Sequence, residues 1–183
     1  MRSKVKLLGS ILVIVTVWAI QFQHLSTGGA TMALTITSAA FKEGGMIPKD
    51  CTCDGSDLSP DLSWSGVPQG TQTLALICDD PDAPAGTWVH WVLFNIPADV
   101  ASLPEGVPPQ KTLSNGTRQG KNDFRKFGYG GPCPPGGTHR YYFKLYALDT
   151  ALDLEAGAAK SRLVDAMKGH ILAEGQLMGK YSR

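Results

Sequence analysis

Asp79 to Pro97 reads DDPDAPAGTWVHWVLFNIP, an acidic, proline-rich punctuation that gives way to a continuous apolar run. Such a junction puts charge at the edge of a core. The residues before it, Thr73 to Cys78 (TLALIC), read as a strand. Because side chains alternate between the faces of a strand, Asp80 falls on the side of Leu74, Leu76 and Cys78, the side expected to face the interior. By the same alternation His90 shares a side with Val92 and Phe94 in the strand that follows. Each strand thus carries an ionisable group at its loop end. A carboxylate beside a core is costly unless it is paired, so this arrangement points to a hydrogen-bonded site.

A third strand repeats the pattern. In Arg140 to Leu148 (RYYFKLYAL), Tyr141, Phe143, Leu145 and Ala147 share one face with His139 at the head of the row, and Arg140 and Lys144 lie on a wetter face. The preceding stretch, Gly128 to Thr138 (GYGGPCPPGGT), is a glycine and proline loop that can expose backbone N–H groups and approach a ligand closely. Three segments are therefore expected to converge on one small polar pocket.

DPDAP at Asp80 to Pro84, HWVLFNIP at His90 to Pro97 and GYGGPCPPGGTHRYYFKLYALD at Gly128 to Asp149 resemble the phosphatidylethanolamine-binding proteins, in particular their bacterial, Raf kinase inhibitor-like branch. The resemblance covers nearly everything from Met32 to Arg183. It implies two antiparallel sheets with Greek-key connections and few helices. It also implies a small anion-binding pocket made by Asp80, His90, His139 and Tyr141 with backbone from Gly131 and Pro132. In that pocket an imidazole and a tyrosine hydroxyl donate to phosphate oxygens, and glycine N–H groups add a nest. Asp80 fixes a histidine tautomer, Asp82 holds the loop through backbone N–H groups, Trp88 lines the rim and Trp91 packs. The resemblance further implies a cis Ala83–Pro84 peptide in the DPDAP turn. Cys53 and Cys133 fall where similar bacterial sequences often carry cysteine, Cys51 less so. The loop from Tyr129 to His139 is shorter than in the animal members, and their C-terminal helix has no match here, so kinase inhibition does not transfer safely.

With 183 residues, 43% of them hydrophobic, the chain suits one domain with a sizeable core. A net charge of +1 without basic clusters beyond the N-terminus argues against nucleic acid as the main partner, because neutralising phosphates takes several clustered Lys and Arg. Arg2, Lys4 and Lys6 precede an apolar run from Leu7 to Ile20, the layout of a secretory signal peptide over residues 1–33, followed by a domain over 34–183. Cleavage after Ala30 or Ala33 would export the protein to the periplasm or outside the cell. The alternatives are an anchor through residues 7–20 and a cytoplasmic protein that starts at Met32. The four cysteines, Cys51, Cys53, Cys78 and Cys133, suit disulfides in an exported chain, but their spacing gives no connectivity. Cys78, within TLALIC, reads as a small buried apolar residue.

Taken in order, Leu34 to Ser38 reads as a first strand, Glu43 to Asp61 as a long ordered loop and Leu62 to Val67 as a short edge. Ala98 to Phe127, with the polar run QGKNDF at Gln119 to Phe124, lacks periodicity over a length unusual in a compact domain, which hints at function. Ala158 to Lys168 has helical spacing with Gly169 as its stop, and His170 to Tyr181 returns to alternation. The fold class is all-β: an antiparallel two-sheet sandwich with one short helix near the C-terminus.

The function expected is binding of phosphate, phosphoethanolamine or a phospholipid head group in a regulatory role, without cofactor or metal. Docking on a kinase or protease as an inhibitor is the runner-up. An enzyme is the rival class: Asp80, His90 and His139 could hold a metal or perform acid–base work, and Cys133 near His139 could be a thiol nucleophile. No G-x-S-x-G or HExxH motif accompanies them, and catalysis is not expected.

Overall fold

The computed structural model describes residues 33–183, so the leader expected over residues 1–33 lies outside the described residues except for Ala33. A smaller sheet is built from β1 (Thr35–Thr37), β2 (Leu62–Ser65) and β5 (Ser102–Leu103). A larger sheet has the order β6-β4-β3-β7-β8, with β3 at Thr73–Asp80, β4 at Trp88–Pro97, β6 at Arg118–Gln119, β7 at Thr138–Leu148 and β8 at Ile171–Ser182. All strand pairs in both sheets are antiparallel. In the larger sheet β3, β4 and β6 lie side by side and β7 returns beside β3, which is a Greek-key order.

The inner face of each sheet is apolar for the reason the alternation suggests. Ile36, Leu62, Trp64 and Leu103 of the smaller sheet meet Leu74, Leu76, Cys78, Leu93, Phe143 and Leu145 of the larger one in a single cluster. A second layer covers the other face of the larger sheet. Helix α1 (Lys160–Met167) and the segment before it press Leu152, Leu163 and Met167 onto Ala75, Ile77, Val92, Phe94 and Leu148. Both faces of β3 are covered in this way, and every one of its residues is buried. This is why TLALIC is an unbroken apolar run and not a strict alternation.

Helix α1 ends where glycine takes over: Gly169 has φ +80°, a left-handed turn that lets the chain reverse into β8. On the second face Asp79, fully buried, accepts hydrogen bonds from the ammonium groups of Lys144 on β7 and Lys160 on α1. One carboxylate thereby ties the helix to the sheet.

Two expectations about the central hairpin are corrected. The described residues contain no cis peptide bond, so Ala83–Pro84 is trans. The loop is long enough to reverse without it: Asp80 Oδ1 accepts the Asp82 N–H at 2.8 Å, the Gly86 N–H reaches the Ala83 carbonyl at 3.1 Å, and Gly86 takes φ +98°. The face of His90 is the second correction. Cys78 is opposite Trp91 and Asp79 is opposite Val89, which leaves His90 as an extra residue in a β-bulge. Val92 and Phe94 pack on the helix side, whereas His90 turns to the inner side and sets its ring edge-on to Tyr141 at 5.1 Å.

Candidate functional site

Asp80 at the end of β3, His90 in the bulge of β4 and His139 at the start of β7 line one cavity of about 310 Å³. Its walls are apolar: Pro84 from the hairpin loop, Trp88, Phe124, and Pro134 with Pro135 from the glycine and proline loop. The three polar residues are each nearly buried, at 3%, 2% and 7% exposure, so none sits there at random surface cost.

Each imidazole is held through Nδ1. His139 Nδ1 donates to Asp80 Oδ2 at 2.7 Å, which assigns the tautomer as the sequence suggested for the carboxylate. His90 Nδ1 donates to the Gly130 carbonyl at 2.6 Å, and the Gly130 N–H returns a bond to the His90 carbonyl at 3.0 Å. This reciprocal clamp pins the bulge. A carbonyl only accepts, so Nδ1 carries the proton and Nε2 is the free nitrogen of the ring. Burial, opposed by the Gly130 carbonyl and by Asp80, holds the His90 imidazolium below the ordinary histidine range. His90 is therefore neutral at neutral pH.

The acidic hairpin divides its work. Both oxygens of Asp80 are engaged inside the site, by His139 and by the Asp82 N–H. Asp82 instead reaches β7: it accepts the Arg140 N–H at 2.9 Å, Nε at 2.8 Å and Nη2 at 2.6 Å. The guanidinium beside it holds the Asp82 carboxyl down to about 2. The loop is thus fastened to β7 by a bidentate ion pair together with one backbone N–H, that of Arg140.

Gly131 and Pro132 do not form the backbone nest expected of them. The Gly131 N–H donates to Asp57 Oδ1 at 2.6 Å, and Pro132, which has no N–H, accepts the Cys53 N–H at 3.1 Å. Glycine is required here by packing: a Cβ on Gly131 would lie 2.6 Å from the Cys51 carbonyl, and one on Gly130 would lie 2.6 Å from the Phe124 ring. Tyr141 is 1% exposed and backs the His90 ring, and its hydroxyl is buried without a partner among the described residues. Burial, with Asp80 nearby, pushes its phenol well above the ordinary value. Trp88 is in the cavity wall, edge-on to Phe124 at 5.4 Å, and its indole N–H is also unpartnered. Trp91 is a packing residue, fully buried, with Nε1 donating to Gln119 Oε1 at 2.9 Å.

Sequence reasoning missed Phe124, the Gly130 carbonyl and Asn122, whose side-chain amide donates to the Gly128 carbonyl at 3.1 Å and steadies the loop. The one available signal was the aperiodic run QGKNDF. It lies along the outer edge of β4, with the Gly120 N–H on the Val92 carbonyl and the Asp123 N–H on the Val89 carbonyl. A disulfide joins Cys53 to Cys133 with Cα atoms 5.5 Å apart, so Cys133 in the cavity wall carries no free thiol. Cys51 and Cys78 are free and buried, and burial pushes the Cys51 thiol up to about 11. Among the described residues no group of three or more His, Cys, Asp or Glu side chains could hold a metal ion.

Residues 37–182 match the family model described as phosphatidylethanolamine-binding protein. A UPF0098 protein of Methanothermobacter thermautotrophicus is 55% identical over 150 residues, covering 82% of this chain and 99% of the relative. The crystal structure of a phosphatidylethanolamine-binding protein homolog from Chlamydia trachomatis is similar with a TM-score of 0.77 at 43% identity, over 82% of this chain and 98% of that one. E. coli YbcL, described as a new member of the mammalian PEBP family, is similar with a TM-score of 0.76 at 33% identity and the same coverage.

Proposed function

Because the chain belongs to the phosphatidylethanolamine-binding protein family, we propose that its cavity receives a small phosphate-bearing molecule or phospholipid head group, and that the protein is a regulatory binding protein. The observation that carries this reading is the pair of anchored imidazoles, His90 and His139, at the polar floor of an otherwise apolar cavity. His139, oriented from behind by Asp80, and His90 are the side chains this floor offers to an oxyanion. The apolar collar of Pro84, Trp88, Phe124 and Pro134 suits the carbon part of an esterified phosphate and excludes water from the anion.

A thiol-dependent enzyme is the less favoured reading, since the sulfur in the cavity wall, that of Cys133, is bound in the disulfide. The same disulfide favours an oxidising compartment and so accords with export by a leader over residues 1–33. Mass spectrometry of the N-terminus of the native protein tests this part: processing between Gly28 and Leu34 supports export, and an unprocessed form starting at Met32 in cytosol refutes it.

Calorimetric titration with phosphate and with phosphoethanolamine tests the binding reading. His90→Ala is expected to weaken both by about fivefold, the worth of one hydrogen bond accepted by the neutral ring at Nε2. Equal affinity in wild type and variant would remove His90 from the site. Tighter binding of phosphoethanolamine than of phosphate would assign the site to a head group, and the reverse to the free anion.

A further inference from the structure

Each sheet ends in a strand with a neighbour on one side only, β1 in the smaller sheet and β8 in the larger. Along β8 the outward backbone groups are identified by the bonds that some of them make. Lys180 donates its N–H to the Gly45 carbonyl and accepts the Ile47 N–H, and the Met178 carbonyl accepts the Gly44 N–H, so both residues point their backbone away from β7. The pairing of β8 with β7 runs without a register shift from Ser182 to Ala173. Direction alternates residue by residue in an antiparallel ladder, so Gln176 and Glu174 point outward as well. Among the described residues nothing bonds to the N–H or the carbonyl of either.

β1 is open in the same sense. Trp64 spends its N–H on the Ala101 carbonyl, on the β5 side of β2, so Trp64 and Ile36 opposite it on β1 form a pair without hydrogen bonds. The Ile36 N–H and carbonyl therefore face away from β2, again with no partner among the described residues. Ile36 and Gln176 line one groove of about 450 Å³, together with Phe41 and Leu177, whose buried side chains belong to the core. This groove shares no residue with the cavity that holds the histidines.

A row of open N–H and C=O groups on a strand edge is satisfied by another strand. The chain itself does this on the neighbouring stretch, where the segment at Met46 lies parallel to β8 at Lys180. We infer that the groove between β1 and β8 is a docking site for an extended segment of a partner protein, which adds as a strand to the open edge of β8 and meets Ile36 of β1 on its other side. Side chains of such a strand alternate, one set packing on Phe41 and Leu177 and the other staying in solvent, so the segment is apolar at every second position. Charge sets its ends. Lys42 and Glu174 are exposed and belong to no salt bridge among the described residues. Glu43 reaches the Met178 N–H, which puts Lys42 toward that end of the groove and away from Glu174. A basic residue beside Glu174 and an acidic one beside Lys42 complete the match.

The test uses a capped peptide of sequence KVTVD at millimolar concentration and follows amide hydrogen exchange of the protein by NMR. Exchange at Ile36 and Gln176 is expected to slow at least about tenfold when the peptide is bound. Gln176→Pro removes an N–H that β7 does not use, and it should weaken the peptide by about tenfold. Lys42→Glu should weaken it by about threefold. The Lys42 side chain makes no hydrogen bond among the described residues, so this variant keeps the test open if the proline disturbs folding. Exchange at these amides unchanged by the peptide, or equal affinity in wild type and both variants, would overturn the inference. Protection of the same amides that rises with protein concentration and needs no peptide would give the groove to a second copy of the chain, and would overturn its assignment to a partner segment.

Discussion

Reduction of the Cys53–Cys133 bridge is expected to destabilise the protein strongly while leaving its folded shape intact. The two cysteines are 80 residues apart in sequence, so the bridge removes a long loop's worth of freedom from the unfolded chain. The chain-entropy relation for a loop of that length gives roughly 4.5 kcal/mol at room temperature. The folded side should change little, because the same segments are already joined by the Cys53 N–H on the Pro132 carbonyl and the Gly131 N–H on Asp57. Both cysteines are exposed, so a phosphine reductant can reach them without unfolding the protein. The assay is urea unfolding of oxidised and reduced wild type, followed by circular dichroism. With a urea slope of about 2 kcal/mol per molar, the midpoint should drop by roughly 2 M at unchanged slope. A drop below about 0.5 M would refute the loop-entropy reasoning, and a changed slope would place the effect in a partly unfolded native state.

Asp79→Ala should cost roughly 3 kcal/mol, the low end for a broken buried pair, because Lys144 and Lys160 are about one third exposed and can partly hydrate their stranded charges. A thermal or urea midpoint that implies a loss under about 1 kcal/mol would show that the carboxylate does not tie α1 to the sheet. For Asp82 the folded carboxyl is held down to about 2, below the ordinary 3.8, so its contribution to stability is complete above 3.8 and is lost as pH falls through about 2. The difference in urea midpoint between wild type and Arg140→Gln should therefore shrink on going from neutral to strongly acidic solution. A difference independent of pH would dissociate Asp82 from Arg140.

The strands that carry the site were legible because β3, β4 and β7 are long enough for period-two patterns to appear, and Asp80 and His139 followed from them directly. β5 and β6, two residues each, are too short to carry a period. His90 was found but placed on the wrong face, since alternation presumes that no residue is inserted between Val89 and Trp91. Gly130 and Gly131 signalled close approach correctly, but a glycine does not say to what: here the neighbours are Phe124 and the Cys51 carbonyl, not a ligand. The reach of Lys160 to Asp79 spans 81 residues and has no local signature.

The bulge at His90 also bears on how such a protein can change over generations. The ladder runs from Cys78–Trp91 to Asp79–Val89 and passes over His90, so neither cross-strand pair includes that residue. A mutation there alters the chemistry offered to the cavity while the pairing of β3 with β4 keeps its alignment. The inserted position behaves as a socket in a fixed frame, open to new specificities that the sheet itself never has to accommodate.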